Sequence, residues 1–329
     1  MELKEFKVNK IDEKDMKSAA MKFLSKYGIF LILIFLATLM SFLTPHFLTT
    51  NNIINILRQM SVIGIIAIGV TPIIITKGID LSPGSVIALV SVVVASFAHP
   101  GEYPLLVTIL VGLAVGLLTG FINGTFIAKA GLPPFIATLG MMTAARGVAL
   151  LYSDGRPIGN LSDSFVFIGE GSILGIPISV ILFALVGLVT WILLNKTKFG
   201  KYIYAIGGNE QAAITAGVNT KKVLLMVYCY MGLLVGIAGL ILTARTTSGQ
   251  PQAGIMFELD AIAAAVIGGT SLFGGIGTVG GTIIGALIIG VMNNGLDLLG
   301  VSSYWQQIVK GIIIVSAVYI DSRKNKKKL

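Results

Sequence analysis

Long apolar segments separated by short polar connections are the feature that most constrains this chain. A helix that crosses about 30 Å of hydrocarbon needs about 20 predominantly apolar residues. Seven apolar segments are predicted to span the membrane. Six have 17 to 25 residues, at 27–43, 104–128, 133–151, 173–194, 223–244 and 279–296, and the seventh, at 308–320, has 13. Three more are shorter or interrupted, at residues 61–76, 83–98 and 259–272. The pattern predicts an all-α, polytopic membrane bundle of about ten transmembrane helices, some of them short or broken.

The distribution of basic residues predicts the orientation of this bundle. Of the 24 Lys and Arg residues, seven lie in residues 1–26, five in residues 195–222 and five in residues 321–329. Clusters of Lys and Arg mark the cytoplasmic connections of membrane proteins. Both termini and the 195–222 loop are therefore expected in the cytoplasm, with six spans before that loop and four after it. The net charge of +9 follows from these clusters, so a nucleic-acid partner is not expected.

Composition also limits the domains and the chemistry. With 55% hydrophobic and 12% charged residues, the chain has no stretch suited to a soluble domain. The predicted organisation is a basic N-terminal segment (1–26), a transmembrane domain (27–320) and a basic tail (321–329). The sequence has no G-x-x-x-x-G-K-[ST] motif, so no bound ATP is expected. The two histidines, His46 and His99, stand apart from acids and cysteine, so neither a catalytic residue nor a metal site is predicted.

Glycines at every fourth position predict a helix face for close packing. They are Gly112, Gly116, Gly120 and Gly124, all within the segment 104–128. Small residues at this spacing allow another helix backbone to approach closely. Packing within one chain is the first interpretation, and an interface between subunits is the alternative.

A weak sequence similarity between two parts of the chain, which we call the internal echo, predicts two related halves. "GFINGTF" from Gly120 resembles "GVMNNGL" from Gly290, and "IDL" from Ile79 resembles "LDA" from Leu259. An odd number of predicted spans separates the two copies. The copies would therefore run in opposite directions, as in an inverted-topology repeat.

The longest polar insert, "YAIGGNEQAAITAGVNTKK" at residues 204–222, predicts a short helix-turn-helix at the cytoplasmic face. Asn209 is a good N-cap, Glu210 suits the positive end of a helix, and Gly217 is expected to end it. A second cap is expected at Thr220. The small residues between these positions leave little apolar area to bury, which suits entry into a cleft of another protein. A solvated loop among lipid headgroups is the alternative.

Polar residues within the apolar segments are candidates for a pathway or a gate. In "KGIDLSPGS" (residues 77–85), Ser82 is an expected helix cap and Asp80 is expected to pair locally, with Lys77 as the candidate partner, or to line a path. Gly268 and Gly269 predict a broken helix, which is tolerated where it lines a cavity. The remaining candidates are Asn123, Asn293 and Asn294, for which bonding between helices is the alternative.

Four motifs in order resemble a known family. They are "GIDLSPGSVIAL", "LPPFIATLGMMTAARGVALLYSDGRPI", "GKYIYAIGGNEQAAITAGVN" and "ELDAIAAAVIGGTS…GALIIGVMNNGLDLLGVSSYWQQIVKG". Together they resemble the membrane permease of bacterial ABC importers for ribose and related simple sugars. The likeness covers about residues 49–321. Pro83, Ile214 and Asp297 depart from the family pattern, and Ile214 puts in doubt a charged contact at its position.

The resemblance implies the role of the polar insert and the partners of the chain. "QAAITAG" is similar to the E-A-A-x-x-x-G pattern of a coupling helix that docks on a separate ATP-binding subunit, where ATP and Mg²⁺ bind. The docking residues implied are Gly207, Asn209, Glu210, Gln211, Ala212, Ala213 and Gly217. The other partners implied are a second permease subunit in a homodimer, an extracytoplasmic sugar-binding protein and the lipid of the bacterial cytoplasmic membrane.

A secondary transporter driven by an ion gradient is the alternative function. Inverted repeats and broken helices are typical of such proteins. Their coupling usually depends on acids within the membrane. Here Asp80, Glu258 and Asp260 are predicted near the ends of spans, which favours the ABC permease.

Overall fold

The computed structural model describes residues 13–326 of the 329-residue chain, and this part is mostly α-helical. The basic segments predicted at 1–26 and 321–329 therefore lie partly outside the described residues. The helices are α1 (Glu13–Leu43), α2 (Thr50–Ile75), α3 (Pro83–Phe97), α4 (Leu105–Ala128), α5 (Pro134–Tyr152), α6 (Asp163–Glu170), α7 (Ile178–Lys196), α8 (Lys198–Gly208), α9 (Glu210–Thr215), α10 (Thr220–Arg245), α11 (Phe257–Ile267), α12 (Val279–Leu298) and α13 (Ser303–Lys326). A short antiparallel hairpin of β1 (Ser172–Ile173) and β2 (Ile176–Pro177) precedes α7.

Six of these helices are long and apolar enough to cross a membrane: α2, α4, α5, α7, α10 and α12. Two shorter apolar helices, Tyr27–Leu43 within α1 and Pro83–Phe97, match further predicted spans. The segment predicted at 259–272 differs, because α11 has only 11 residues. At 1.5 Å per residue it is about 16 Å long, about half of the hydrocarbon thickness. This segment is therefore a half-length helix followed by a loop.

The long helices form an inner and an outer group. In α2, α10 and α12, 61% of the most apolar window is buried, against 22–33% in α4, α5 and α7. Helix α2 is buried on all sides from Ile65 to Ile75, as expected for a helix enclosed by protein. It contacts α7, α10, α11 and α12. The outer helices instead expose large apolar side chains, which suits contact with lipid.

The most extensive helix packing occurs between α4 and α10. A methyl group added at Gly116 would collide with the carbonyl oxygen of Gly232, and one at Gly120 with that of Tyr228. The other two glycines of the stripe, Gly112 and Gly124, face Leu240 and Leu225 of the same helix. All four predicted glycines thus lie on the face of α4 that contacts α10 within one chain.

The connection between α5 and α7 is more structured than the sequence indicates. It contains α6, whose Phe165 is fully buried, and the hairpin from Ser172 to Pro177. The span predicted to begin at residue 173 begins as a helix only at Ile178. Pro177 occupies the N-cap position of α7, and the two-residue strand pairing before it holds the chain extended, which delays the start of the helix.

The contact between α4 and α10 predicts that a Gly→Ala change on this face lowers stability, the opposite of its usual effect within a helix. In an open helix this change stabilises by about 0.5–1 kcal/mol. Gly116→Ala should instead destabilise by about 1–3 kcal/mol, because the added methyl group meets backbone that cannot move aside. Thermal unfolding of the detergent-solubilised protein measures the difference. Gly147→Ala in α5 is the control, since nothing lies within 4 Å of its Cβ position, and equal stability of the two variants would contradict the prediction.

Candidate functional site

The polar insert and the residues just before it form two short helices, α8 and α9. After the role that the resemblance implies, we call residues 195–222 the coupling segment. Helix α8 begins at a cap in which Thr197 Oγ1 accepts a hydrogen bond from Gly200 N at 3.2 Å. It buries Gly200, Ile203, Ile206 and Gly207, which recur at helical spacing, and exposes Lys201 on the other side. This amphipathic pattern seats α8 against the transmembrane helices.

Helix α9 has the cap and the stop that the sequence predicts. Asn209 Oδ1 accepts a hydrogen bond from Ala212 N at 3.0 Å, and the chain turns at Gly217 with φ +83°. A side chain at that φ would be strained, which explains the glycine. The cap expected at Thr220 is wrong by one residue: Asn219 Oδ1 accepts from Lys222 N at 3.0 Å. Asn219 stands immediately before Thr220, the first residue of α10. From that position its amide oxygen reaches the free backbone N–H groups of the first helical turn.

The implied docking residues fall into two groups. Five are exposed on α9 and its turns: Asn209, Glu210, Gln211, Ala212 and Gly217. The other two, Gly207 and Ala213, are buried within the chain. Only the first group is available to a separate protein without a rearrangement.

Tyr204 ties α8 to the loop that precedes α12. Its hydroxyl donates a hydrogen bond of 2.8 Å to the carbonyl oxygen of Gly277. Burial raises the pKa of the Tyr204 phenol, so the hydroxyl keeps its proton and remains a donor. The bond is therefore maintained across the physiological pH range.

Asp80 and Ser82 form a buried polar cluster with Asn123 of α4. Asp80 Oδ1 accepts hydrogen bonds from Ser82 N at 2.9 Å and from Ser82 Oγ at 2.6 Å. Asn123 Nδ2 donates to Ser82 Oγ at 3.1 Å. The three side chains are 1–3% exposed, so they are enclosed within this chain. Their role as a pathway or gate stays a prediction.

One expectation for this cluster is wrong, and another is confirmed only in the position of the residue. Lys77 does not pair with Asp80; its Nζ points to the carbonyl oxygen of Gly208, 3.5 Å away. Ser82 occupies the N-cap position of α3, but its hydroxyl makes no cap hydrogen bond. In both cases the cause is the turn from residue 76 to 82: Lys77 has φ +64°, which directs its side chain away, and Asp80 instead binds the nearby Ser82.

A second buried cluster contains an ion pair that the sequence analysis missed. Lys310 Nζ of α13 lies 2.9 Å from Asp260 Oδ2 of α11, with side-chain exposures of 17% and 4%. Asn293 of α12 lies near Asp260. The sequence signal that could have indicated this ion pair is Lys310 itself, a single lysine within the apolar segment 308–320. Its partner lies 50 residues earlier, a distance that no sequence pattern bridges.

The remaining pathway candidates occupy other positions. Asn294 pairs with Asn52 through reciprocal amide hydrogen bonds of 2.8 and 2.9 Å, which join α12 to α2. Gly268 packs against the backbone of Gly281, where a side chain would collide with the carbonyl oxygen. Gly269 is exposed with φ +91° and ends α11. The broken helix is therefore held to α12 by backbone contact.

The internal echo has a structural counterpart. In the first copy, Ser82 links Asp80 to Asn123 of α4; in the second, Asp260 lies beside Asn293 of α12. In each copy the acid lies at or near the start of a short helix, and the asparagine lies on the longer helix that follows it. Each copy thus brings an acid and an asparagine, far apart in sequence, into one polar cluster.

Comparison with known proteins identifies the class of this membrane protein. Residues 52–318 match the family described as "Branched-chain amino acid transport system / permease component". The chain belongs to this family. With its six apolar helices, it is a multi-pass permease of the bacterial cytoplasmic membrane.

Its curated relatives are import permeases for sugars. The chain is 52% identical to the ribose import permease protein of Bacillus subtilis, over 92% of this chain and 94% of the relative. It is 47% identical to that of Haemophilus influenzae, over 94% and 96% of the two chains. Identity to the galactose/methyl galactoside import permease of Escherichia coli is 41%, over 95% and 98%. No solved structure gives a significant match.

The ion pair between Lys310 and Asp260 predicts a large single-mutant effect that a double mutant reverses. Lys310→Met leaves a buried carboxylate without its cation, which should cost about 3 kcal/mol or more of stability. Asp260→Asn combined with Lys310→Met should recover most of that loss, because no unpaired charge then remains. A double-mutant cycle of thermal unfolding in detergent measures the coupling. Lys129→Met, at an exposed lysine, is the control, and additive effects of the two changes would contradict the prediction.

Proposed function

We propose that this chain is the membrane-spanning, non-catalytic subunit of an ATP-binding-cassette importer for ribose or a closely related monosaccharide. The relatives that match nearly the whole chain are permeases for ribose, allose and galactose, which supports a simple sugar as the substrate. The observation that carries the proposal is the geometry of the coupling segment. Helix α9 exposes Glu210, Gln211 and Ala212, while α8 is seated on the transmembrane helices.

This arrangement suits a mechanism in which a partner protein transmits the energy of ATP hydrolysis to this chain by direct contact. A partner ATPase, which binds ATP and Mg²⁺, docks on the exposed side of α9. Closure of two ATPases moves α9, and the transmembrane helices change from inward-open to outward-open. An extracytoplasmic sugar-binding protein delivers the sugar to the open side. A second copy of this chain completes the path, in a homodimer.

The proposed topology has ten spans with both termini in the cytoplasm. Eight are the six long helices and the two shorter apolar ones. The half-length α11 with its loop and α13 supply the other two. The three basic clusters, at 1–26, 195–222 and 321–329, then share one side of the membrane.

Sugar uptake into proteoliposomes tests this function. The chain, its ATPase and the binding protein should together take up ribose when ATP is supplied, and omission of the ATPase should abolish uptake. Ala212→Trp should also abolish uptake and prevent co-purification with the ATPase, because it adds bulk to the exposed side of α9 without disturbing the fold. Glu102→Trp, in the exposed connection between α3 and α4, is the control and should behave as wild type.

The secondary transporter is the second candidate, and one observation favours it. Asp80 and Asp260 are both 3% exposed, more deeply enclosed than the sequence predicts, and buried acids can couple transport to protons. Uptake by the chain alone, driven by a proton gradient, would establish this alternative and reject the ABC permease.

The topology predicts one-sided labelling of α9. In a variant whose only cysteine is Asn209→Cys, obtained with Cys229→Ala, a membrane-impermeant maleimide should label inside-out vesicles and leave intact cells unlabelled. Glu102→Cys in the same background should give the reverse result. Labelling of Asn209→Cys from outside would overturn both the topology and the docking role.

A further inference from the structure

The C-terminal end of α8 meets two other backbone segments with no side chain between them. A methyl group on Gly207 would collide with the carbonyl oxygen of Ile75, the last residue of α2. Gly275, in the loop before α12, donates its N–H to the same carbonyl oxygen at 2.9 Å. We call these three residues the glycine junction.

Polar contacts on both sides of the glycine junction strengthen it. On the side of α12, the Tyr204 hydroxyl donates to the carbonyl oxygen of Gly277 at 2.8 Å. On the side of α2, Lys77 Nζ points to the carbonyl oxygen of Gly208, and the stem of Lys77 packs against Gly274. Helix α8 is therefore bound to the end of α2 and to the loop before α12 at once.

Each backbone segment at the junction leads to one of the two buried clusters. Five residues after Ile75 the chain reaches Asp80, which binds Ser82. The loop that holds Gly275 connects α11, which carries Asp260, to α12, which carries Asn293. The junction thus joins the coupling segment to two backbone segments that each lead to one of the buried clusters.

We infer that Gly207 is a positioning residue of the glycine junction, through which movement of α9 passes to α2 and α12, and not a docking residue. This inference rests on the proposed function. Direct backbone contact has no side-chain rotamers that could absorb a displacement, so the three segments move as one body. The burial of Gly207 also removes it from the surface that a partner could touch.

Adjacent glycines give a matched pair of variants. Gly207→Ala forces α8 away from Ile75, whereas the Cβ position at Gly208 has nothing within 4 Å. Each variant is assembled with its ATPase and binding protein, and three quantities are measured: co-purification, ATP hydrolysis and ribose taken up per ATP hydrolysed. Gly208→Ala should match the wild type in all three. Gly207→Ala should keep co-purification and hydrolysis, while uptake per ATP falls by about tenfold or more, the size of coupling expected between linked sites.

Tyr204→Phe tests the same inference with little risk to folding, because only the hydroxyl is removed. Loss of the hydrogen bond to Gly277 should lower uptake per ATP by about threefold and leave co-purification unchanged. If Gly207→Ala does not insert or fold, this variant decides the question. A purely structural role would reduce the amount of assembled complex and leave the uptake per ATP of the remaining complexes at the wild-type value.

Three results would overturn the inference. Loss of co-purification in a folded Gly207→Ala protein would make Gly207 part of the docking surface, with the proposed function intact. Wild-type uptake per ATP in Gly207→Ala or in Tyr204→Phe would show that movement does not pass through the junction. Uptake by the wild-type chain without its ATPase would reject the proposed function itself, and this outcome is distinct because it needs no variant.

Discussion

Close approach of helix backbones at glycine is the interaction on which the rest of this permease depends. Lipid is as apolar as a leucine side chain, so helices in a membrane associate through packing and hydrogen bonds and not through the hydrophobic effect. Here Gly116 and Gly120 bring α4 onto α10, and Gly268 and Gly285 bring α11 onto α12. These contacts set the spacing at which the buried polar side chains can meet.

The two buried clusters follow from that spacing. Asp80 and Asp260 lie where a carboxylate without a partner would be costly, and each has one: Ser82 for the first and Lys310 for the second. Within the described residues, Asn123 Oδ1 in the first cluster and Asn293 Oδ1 in the second are buried without a hydrogen-bond partner, so each cluster keeps unused polar capacity. The clusters therefore combine a tight enclosure with polar atoms that are available for further hydrogen bonds.

The two helices of the coupling segment differ in their exposure and in their contacts. Helix α9 is small, capped at both ends and exposed, which suits contact with another protein. Helix α8 is amphipathic and joins the transmembrane helices through backbone contact at Gly207. The proposed function requires both features, because a permease driven by a partner ATPase needs a surface on which the partner acts and a stiff connection to the transmembrane helices.

Much of this arrangement is determined by the sequence alone. Apolar length predicts most of the spans, the spacing of glycines predicts the contact face of α4, and Asn209 and Gly217 predict the two ends of α9. Four ordered motifs predict the class of permease. These signals are local, because a helix face, a cap or a turn depends on residues within a few positions of each other.

The tertiary structure alone decides which distant residues meet. Asn52 and Asn294 are 242 residues apart, and the partner of Lys310 lies on another helix. The sequence suggested Lys77 as the partner of Asp80, but in the fold Lys77 points to α8. The resemblance implied a docking role for Gly207, but the fold buries Gly207 against Ile75. Periodicity tells which face of a helix is packed, but the neighbour of that face is set by the joint packing of all the helices, and no single segment contains that information.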